Sequence, residues 1–161
     1  MNRVQVAIMM GSKSDLPVME KTADLLKEFG IHYELRVLSA HRTPKETAEY
    51  AEALKSRGIK VVICGAGASA ALAGVVAANT SLPVIGVPIA ATPLNGMDAL
   101  LSTVQMPPGV PVAAVAVGEA GAKNAALLAL RILAINDAAV ESRLEQYKQA
   151  QRQKILDIDL H

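Results

Sequence analysis

Aromatic side chains are nearly absent from this 161-residue sequence, which has no Trp, one Phe and three Tyr. Its core must therefore be built from Val, Ile, Leu, Met and Ala, and hydrophobic residues make up 52% of the chain. The net charge of +1 lacks the basic excess with which general nucleic-acid-binding proteins follow a phosphate backbone. Cysteine is equally scarce: Cys64 is the only one, which excludes an internal disulfide and suits a reducing compartment.

The chain also lacks the patterns of a secretory signal and of a membrane span. Residues 1–5 lead directly into an apolar strand pattern, without the organisation of a signal peptide. The alanine-rich run 66–78 is interrupted by Gly74, and its side chains are too small to indicate a span. We therefore expect one cytoplasmic domain over residues 1–161, with neither a membrane nor a nucleic acid as its partner.

Short apolar runs alternate with helical patterns along the chain. Continuous apolar runs are typical of buried parallel strands, and short connections favour right-handed crossovers. The alternation predicts a doubly wound parallel sheet with helices on both faces, a three-layer α/β/α domain of flavodoxin-like strand order. The expected strands are Val4–Met10, Tyr33–Leu38, Val61–Cys64, Pro83–Val87 and Pro111–Val117, and the expected helices are one ending at Gly30, Thr43–Arg57, one through the seventies and 120–134.

An extra C-terminal helix is expected over residues 137–156. Its apolar residues form a narrow stripe on an otherwise charged helix: Val140, Leu144, Tyr147 and Ile155. Two interpretations of this helix stay open. It either packs on its own domain or reaches onto a neighbouring subunit.

The hexapeptide Ser39–Pro44 combines a histidine and an arginine at a predicted strand-to-helix junction. Thr43 and Glu46 have the spacing of a capping box, which marks a helix start. A histidine titrates near neutral pH, so His41 can accept and donate a proton within one turnover. We therefore expect His41 and Arg42 to lie in a loop that binds an anion and moves a proton. The other two histidines lack such a setting: His32 and His161.

The first predicted strand ends in the run Gly11-Ser12-Lys13-Ser14-Asp15. Glycine permits close backbone approach, and hydroxyl and N–H groups at a helix start bind phosphate or carboxylate. Asp15 would repel a phosphate but can accept hydrogen bonds from ribose hydroxyls; alternatively, Ser14 or Asp15 is an ordinary N-cap. Because the carboxyl ends of parallel strands meet at one edge, this loop, the His41 loop and Gly65-Ala66-Gly67 should share one crevice.

Other functional classes fit the sequence poorly. Residues 65–70 formally match a dinucleotide-binding fingerprint, but they follow the third strand, and no acidic residue lies about 20 residues later. A receiver domain would carry an aspartate where this chain has Cys64 and Gly65. No histidine, cysteine and carboxylate cluster has metal-ligand spacing, and no phosphate-binding loop ending in Gly-Lys-Ser/Thr is present. The glycines at 65 and 67 then provide either a floor for a flat ring or tight strand–helix packing.

Together these motifs closely resemble those of the N5-carboxyaminoimidazole ribonucleotide mutases of purine biosynthesis. The matching segments occur in the family's order and span nearly the whole chain. They are Met10–Asp15, Ser39–Pro44, Gly65–Gly67, Pro83–Pro88, Val104–Pro107 and Asn124–Ala129. The first two segments together are highly specific.

The resemblance implies a carboxylate transfer from the exocyclic nitrogen to ring carbon C4, without metal, ATP or organic cofactor. The implied path is decarboxylation to aminoimidazole ribonucleotide and trapped carbon dioxide, then recarboxylation at C4 and loss of the C4 proton. It implies His41 as the proton carrier, Arg42 as the phosphate ligand and a homo-octameric assembly. The other substrate-binding residues that it implies are Ser12, Ser14, Asp15, Ser39, Ala40, Gly65, Ala66 and Gly67.

The loop after the third strand departs from the mutase pattern. Mutases continue it as Gly-Gly-Ala-Ala-His-Leu-Pro-Gly, whereas residues 67–74 here read Gly-Ala-Ser-Ala-Ala-Leu-Ala-Gly. Ala71 therefore stands where a second histidine is expected, and Ser69 is a candidate to compensate. The mutase interpretation comes first because the segments 86–88 and 104–107 match mutases. Two alternatives stay open: an aminoimidazole ribonucleotide carboxylase that uses free carbon dioxide, and an inactive ligand-binding relative.

Overall fold

Five parallel strands form the middle layer of the fold. The structure, a computed structural model, describes residues 3–160, so Met1, Asn2 and His161 lie outside the described residues. The strands are β1 (Val6–Met10), β2 (Tyr33–Val37), β3 (Val61–Gly67), β4 (Val84–Ile89) and β5 (Ala113–Ala114). Their order is β2-β1-β3-β4-β5, which confirms the predicted flavodoxin-like sheet.

Helices cover both faces of this sheet, as predicted. They are α1 (Leu16–Glu28), α2 (Pro44–Ala53), α3 (Leu72–Ala78), α4 (Met97–Val104), α5 (Glu119–Ala134) and α6 (Ala138–Leu156), and a 3₁₀ turn at Lys13–Asp15 precedes α1. The larger apolar cluster joins one face of the sheet to α1 and α5, and the smaller one joins the other face to α2 and α3. Because both faces are covered, β1 and β4 are buried at every residue.

The register of the sheet brings three strand ends to one place. Met10, the last residue of β1, pairs with Val37 of β2 on one side and with Gly65 of β3 on the other. The Gly11 N–H also donates to the Gly65 carbonyl at 3.3 Å. The loops that follow β1, β2 and β3 therefore leave the sheet side by side.

Two elements at the far edge of the sheet differ from the sequence predictions. Helix α4 was not predicted, because its buried side chains are small: Ala99 and Thr103 face the sheet, whereas Leu101 and Val104 are exposed. The strand expected over Pro111–Val117 pairs with β4 only at two residues. Pro111 has no N–H to donate, so pairing cannot extend through that residue.

The C-terminal helix α6 divides into a packed half and an exposed half. Val140 is buried, and the rings of Phe29 and Tyr147 lie 5.7 Å apart between centroids. From residue 148 to 160 every residue is exposed, and Ile155 retains 68% of its surface. The predicted apolar stripe thus packs on the rest of the fold through Val140, Leu144 and Tyr147 but not through Ile155. Across residues 3–160, no helix has the length and apolar character that crossing a bilayer requires.

Candidate active site

A cavity of about 310 Å³ opens at the carboxyl ends of the strands. It confirms the expectation that the loops after β1, β2 and β3 share one crevice. A fourth loop, after β4, adds one residue to it. The lining residues are Gly11, Ser12, Ser14 and Asp15 from the first loop, Ser39, Ala40, His41 and Arg42 from the second, Ala66, Gly67, Ala68, Ala70, Ala71 and Leu72 from the third, and Ala91 from the fourth.

The first loop is held in shape by a capping box between Ser12 and Asp15. The Ser12 N–H donates to Asp15 Oδ2 at 3.0 Å, and the Ser14 N–H donates to Ser12 Oγ at 3.3 Å. The Ser14 hydroxyl also donates to Ser12 Oγ at 2.9 Å. Ser12 caps the 3₁₀ turn, and Asp15 occupies the N-cap position of α1 without a side-chain capping bond. The side chains of Ser12, Ser14 and Asp15 all line the cavity.

The second loop is closed by the Thr43 hydroxyl. Its Oγ1 accepts the Ser39 N–H at 2.9 Å and donates to the Ser39 carbonyl at 3.0 Å. The capping box predicted between Thr43 and Glu46 is therefore wrong, because the hydroxyl that should cap α2 is used within the loop. The Thr47 hydroxyl, which is buried, donates to the Thr43 carbonyl at 2.8 Å. These bonds hold the backbone on both sides of His41 and Arg42.

Arg42 connects the second loop to the first. Its Nη2 donates to the Gly11 carbonyl at 3.1 Å, and its Nε lies 3.4 Å from Ser39 Oγ. The Arg42 backbone N–H also donates to Ser39 Oγ, at 3.2 Å. Both side-chain acceptors are neutral, and Arg42 forms no ion pair within residues 3–160, so the guanidinium brings a positive charge to the cavity.

Asp15 is the one buried carboxylate of the cavity, with 5% of its surface exposed. Burial raises the pKa of the Asp15 carboxyl above its ordinary value. The Ser12 N–H and the charge of Arg42 oppose that shift, because both favour the ionised form. An acceptor held this far inside is suited to hydroxyl groups of a ligand, which do not bring a second negative charge.

His41 stands at the exposed rim of the cavity. Within residues 3–160 no hydrogen bond or ion pair fixes its imidazole ring, so both ring nitrogens are available to a ligand. The neighbouring Arg42, in contrast, is anchored by three bonds. The second loop thus presents one fixed cation and one free proton carrier to the same space.

The third loop forms a wall of small apolar residues. Ala68 adopts a left-handed conformation with φ of +52°, which turns the chain sharply after β3. Gly67 is needed at its position because a Cβ there would lie 2.6 Å from the Cβ of Ala91. Ala71 lines this wall, whereas Ser69, the residue expected to compensate for the missing histidine, is exposed and outside the lining.

Gly65 also lies outside the lining of this cavity, unlike the other substrate-binding residues that the resemblance implies. It is buried in β3, and a Cβ on it would lie 2.2 Å from Sδ of Met19. The absence of a side chain therefore serves the packing of α1 on the sheet. Of the two roles that the sequence left open for this glycine run, packing applies to Gly65, and cavity lining applies to Ala66 and Gly67.

Sequence reasoning did not find Ala68, Ala70, Leu72 and Ala91 as lining residues. Ala91 follows β4, whose carboxyl end neighbours that of β3, so the strand order was the signal that could have pointed to it.

In the part of the chain that the structure describes, no three His, Cys, Asp or Glu side chains are grouped as metal ligands. The Cys64 thiol lies beneath the third loop, and complete burial raises its pKa far above the ordinary range, which makes it a packing residue.

Comparison with known proteins gives one consistent result. The family model described as AIR carboxylase matches residues 5–154. The N5-carboxyaminoimidazole ribonucleotide mutase of Vibrio parahaemolyticus is 52% identical over 153 residues, with 95% of each chain covered. The protein of the same name from Saccharolobus solfataricus is 53% identical over 156 residues, covering 97% of this chain and 98% of its own.

Solved structures give the same picture. The crystal structure of Treponema denticola PurE superimposes with a TM-score of 0.85 at 36% identity, covering 95% of this chain and 94% of that one. A PurE2 variant from the same organism gives 0.87 at 35% identity, covering 96% and 95%. The similarity therefore extends over nearly the whole chain.

Proposed function

The chain belongs to the AIR carboxylase family, and we propose that it is an N5-carboxyaminoimidazole ribonucleotide mutase of purine biosynthesis. The single observation that carries the proposal is the second loop: His41 and Arg42 line one cavity together with the Ser12–Asp15 turn. Relatives that are 52–54% identical over nearly the full chain carry the mutase name.

The ligand groups of a ribonucleotide match the polar side of the cavity. Arg42 offers a planar pair of donors to the phosphate, and the Ser12 and Ser14 hydroxyls add to them. Asp15 accepts from the ribose hydroxyls. Ser39, Ala40, Ala66 and Gly67 then bound the imidazole ring, with the alanine wall around Ala71 facing the group that migrates.

We assign His41 the proton movements of the reaction. As the N–C bond breaks, carbon dioxide departs without the bonding electron pair, which stays on nitrogen and takes a proton from the imidazolium. C4 of the electron-rich ring then attacks the carbon dioxide, and the neutral imidazole removes the C4 proton. The histidine ends as it began, no electrons are gained or lost overall, and the product is an isomer of the substrate.

The first experiment follows the ultraviolet spectrum of the purified protein with authentic N5-carboxyaminoimidazole ribonucleotide, without ATP. We expect conversion to 4-carboxyaminoimidazole ribonucleotide. A flat time course contradicts the mutase assignment and leaves the inactive relative. Conversion that begins only from aminoimidazole ribonucleotide with added bicarbonate identifies a carboxylase instead, an outcome consistent with the absence of an ionisable side chain at Ala71.

Variants of the second loop separate chemistry from binding. His41→Asn should abolish turnover while substrate binding stays measurable, because the amide keeps polarity but does not titrate. Arg42→Ala should mainly weaken binding, since it removes charge-assisted hydrogen bonds worth roughly 1.5–3 kcal/mol. Unchanged turnover in the first variant, or equal affinity of the second for substrate with and without its phosphate, would remove the residue from its role.

The proposal extends to a homo-octamer. Four exposed apolar residues share one side of α4 and its preceding loop: Leu94, Met97, Leu101 and Val104, with 49–63% of their surfaces exposed. The outer half of α6 also carries apolar residues that nothing in residues 3–160 covers, including Ile155 and Leu156. Neighbouring subunits covering these surfaces would explain both. Light scattering tests this, and a monomer at micromolar concentration would contradict it.

We also propose a cytoplasmic location. Cys64 is a free, buried thiol, and the named relatives act on a purine precursor, both of which fit a reducing compartment that holds nucleotides. Fractionation of cells that express the full chain should recover it in the cytosolic fraction. Recovery in a secreted or membrane fraction would contradict this location.

A further inference from the structure

The fourth loop, residues 90–96 after β4, touches the third loop of the cavity directly. The pairing of β3 with β4 ends at Gly67 and Ile89, so the sheet itself does not fix the distance between the two loops beyond that point. A Cβ added at Gly67 would lie 2.6 Å from the Ala91 Cβ and 3.0 Å from the Ile89 carbonyl oxygen. The position of Ala91 therefore decides how tightly the alanine wall is closed on this side.

The path of the fourth loop is set by a turn that begins at Thr92. The Thr92 carbonyl accepts the Asn95 N–H at 3.0 Å, and the Thr92 hydroxyl oxygen accepts the Leu94 N–H at 3.2 Å. Asn95 and Gly96 both have a left-handed backbone, with φ of +51° and +87°, which turns the chain into α4. Ala91 directly precedes this turn, so a shift of the turn also moves Ala91.

Asp98, in the first turn of α4, ties this turn to the helix. The Thr92 hydroxyl donates to Asp98 Oδ2 at 2.7 Å, and within residues 3–160 it is the one side-chain hydrogen bond that joins the fourth loop to α4. The other carboxylate oxygen, Oδ1, is buried without a hydrogen-bond partner among those residues, and no ion pair there includes Asp98. A buried, unpartnered oxygen costs free energy, so the packing of α4 does not account for this side chain, whereas its bond to Thr92 does.

We propose that Asp98 is a positioning residue for the reaction: through Thr92 it holds Ala91 against the third loop and keeps the alanine wall closed. The inference rests on the proposed function, since this wall faces the group that migrates. Carbon dioxide formed when the N–C bond breaks stays beside the ring only while the wall is closed. When the wall opens, carbon dioxide leaves before C4 attacks it. The ring is then released as aminoimidazole ribonucleotide with the proton on nitrogen, and His41 regains its proton from water.

The test compares Asp98→Ala, which removes the acceptor of the Thr92 hydroxyl, with Asp98→Asn, which keeps an oxygen at that place. Turnover takes place in isotopically labelled bicarbonate, so that exchange of carbon dioxide with solvent labels the product. We expect Asp98→Ala to lower kcat about 10-fold, to release aminoimidazole ribonucleotide and to label the product, with KM within about 2-fold of the parent chain. KM is kept because the polar side chains of the cavity lie on the loops after β1 and β2. Asp98→Asn should behave as the parent chain.

Asp137→Ala is the matched control for stability. Asp137 also stands at the start of a helix, where its Oδ1 accepts the N–H groups of Ala139 and Val140, and α6 contributes no residue to the cavity. This variant should lower Tm and leave kcat and label incorporation unchanged. Thr92→Val should reproduce Asp98→Ala, and Thr92→Ser should not. The double variant of Thr92→Val with Asp98→Ala should lose no more kcat than the more impaired single variant, because both remove the same bond.

Three results would overturn the inference. If Asp98→Ala lowers Tm without releasing aminoimidazole ribonucleotide, the role of Asp98 is structural only. If Asp98→Asn is as impaired as Asp98→Ala, the effect belongs to the negative charge at the start of α4 and not to the bond. Additive losses in the double variant would show that Thr92 and Asp98 act separately.

The failure of the proposed function is a separate outcome. If the parent chain converts neither carboxylated nucleotide, hydrogen–deuterium exchange over residues 66–72 still reports on the third loop, where the Ala70 N–H donates to the Gly67 carbonyl at 3.0 Å. Faster exchange there in Asp98→Ala, but not in Asp98→Asn or Asp137→Ala, supports the positioning of the wall whatever reaction the protein catalyses. Unchanged exchange in Asp98→Ala overturns it.

Discussion

Gly65→Ala tests whether this glycine serves packing or substrate binding. The added methyl would lie 2.2 Å from Sδ and 2.8 Å from Cγ of Met19, whose side chain is completely buried. Met19 must therefore move within a filled core. Such overpacking costs about 1–3 kcal/mol, and for a chain of this size each kcal/mol lowers Tm by about 2–4 °C. The KM of the folded variant should not change, because Gly65 does not line the cavity.

Gly11→Ala is the matched control. Its added methyl would meet Asp15 Oδ2 at 3.9 Å and the Ala66 Cβ at 4.0 Å, which are ordinary contacts. Gly11 lines the cavity, so the methyl occupies space that a ligand needs. We expect stability within about 0.5 kcal/mol of the parent chain and a raised KM.

The measurement is thermal and urea unfolding of both variants at one protein concentration, together with KM and kcat. Met19→Ala provides a further check, because it leaves a void that the methyl group added by Gly65→Ala partly fills. The double variant should therefore lose less stability than the sum of the two single losses, with a coupling of about 0.5–3 kcal/mol. Parent-like stability of Gly65→Ala combined with a raised KM would refute the packing argument and return Gly65 to the substrate site.

Three further predictions concern polar groups near the cavity and on α2. Burial raises the pKa of Asp15, so ionisation destabilises the fold as the pH rises from the ordinary aspartate pKa through the raised one. Asp15→Asn should then be more stable than the parent chain at neutral pH but not below the ordinary aspartate pKa, and it should lose substrate affinity. If the unfolding free energies of the variant and the parent chain change with pH in parallel, this prediction is contradicted. Thr43→Val should cost about 1 kcal/mol and lower kcat/KM, because the Ser39 N–H and carbonyl lose the Thr43 hydroxyl, and Thr43→Ser should restore both. Burial and Glu34 raise the pKa of Tyr50 well above its ordinary value, so ionisation of the unfolded chain removes stability in alkaline solution. Tyr50→Phe should be less stable by about 1 kcal/mol at neutral pH, and this difference should shrink above the ordinary tyrosine pKa; a constant difference in unfolding experiments would contradict it.

The sheet could be predicted because its signals are local and continuous. Val6–Met10 and Val61–Cys64 are uninterrupted apolar runs, a pattern that suits only strands covered on both faces. Helix α4 gave no such signal. Its larger apolar side chains recur at helical spacing but on the exposed face, whereas the residues that face the sheet, Ala99 and Thr103, are small.

The capping box shows why local spacing can mislead. Thr43 and Glu46 have the required spacing, yet the Thr43 hydroxyl bonds to Ser39 instead. The same motif does form between Ser12 and Asp15, although Ser12 was not among the cap residues expected from the sequence. Side-chain hydroxyls choose among several nearby backbone groups, and the path of the folded loop decides which one is in reach.

The sequence by itself determined which side chains follow each strand. Serine and aspartate follow β1, histidine and arginine follow β2, and glycine and alanine follow β3. Only the tertiary structure decided which residues of those loops line the cavity. The register of Met10 with Gly65 aligned the loops, while the packing of Met19 took Gly65 out of the cavity. Arg42 joined its own loop to the carbonyl of Gly11, 31 positions earlier in the chain. Such contacts depend on distances across the fold, which spacing along the chain does not encode.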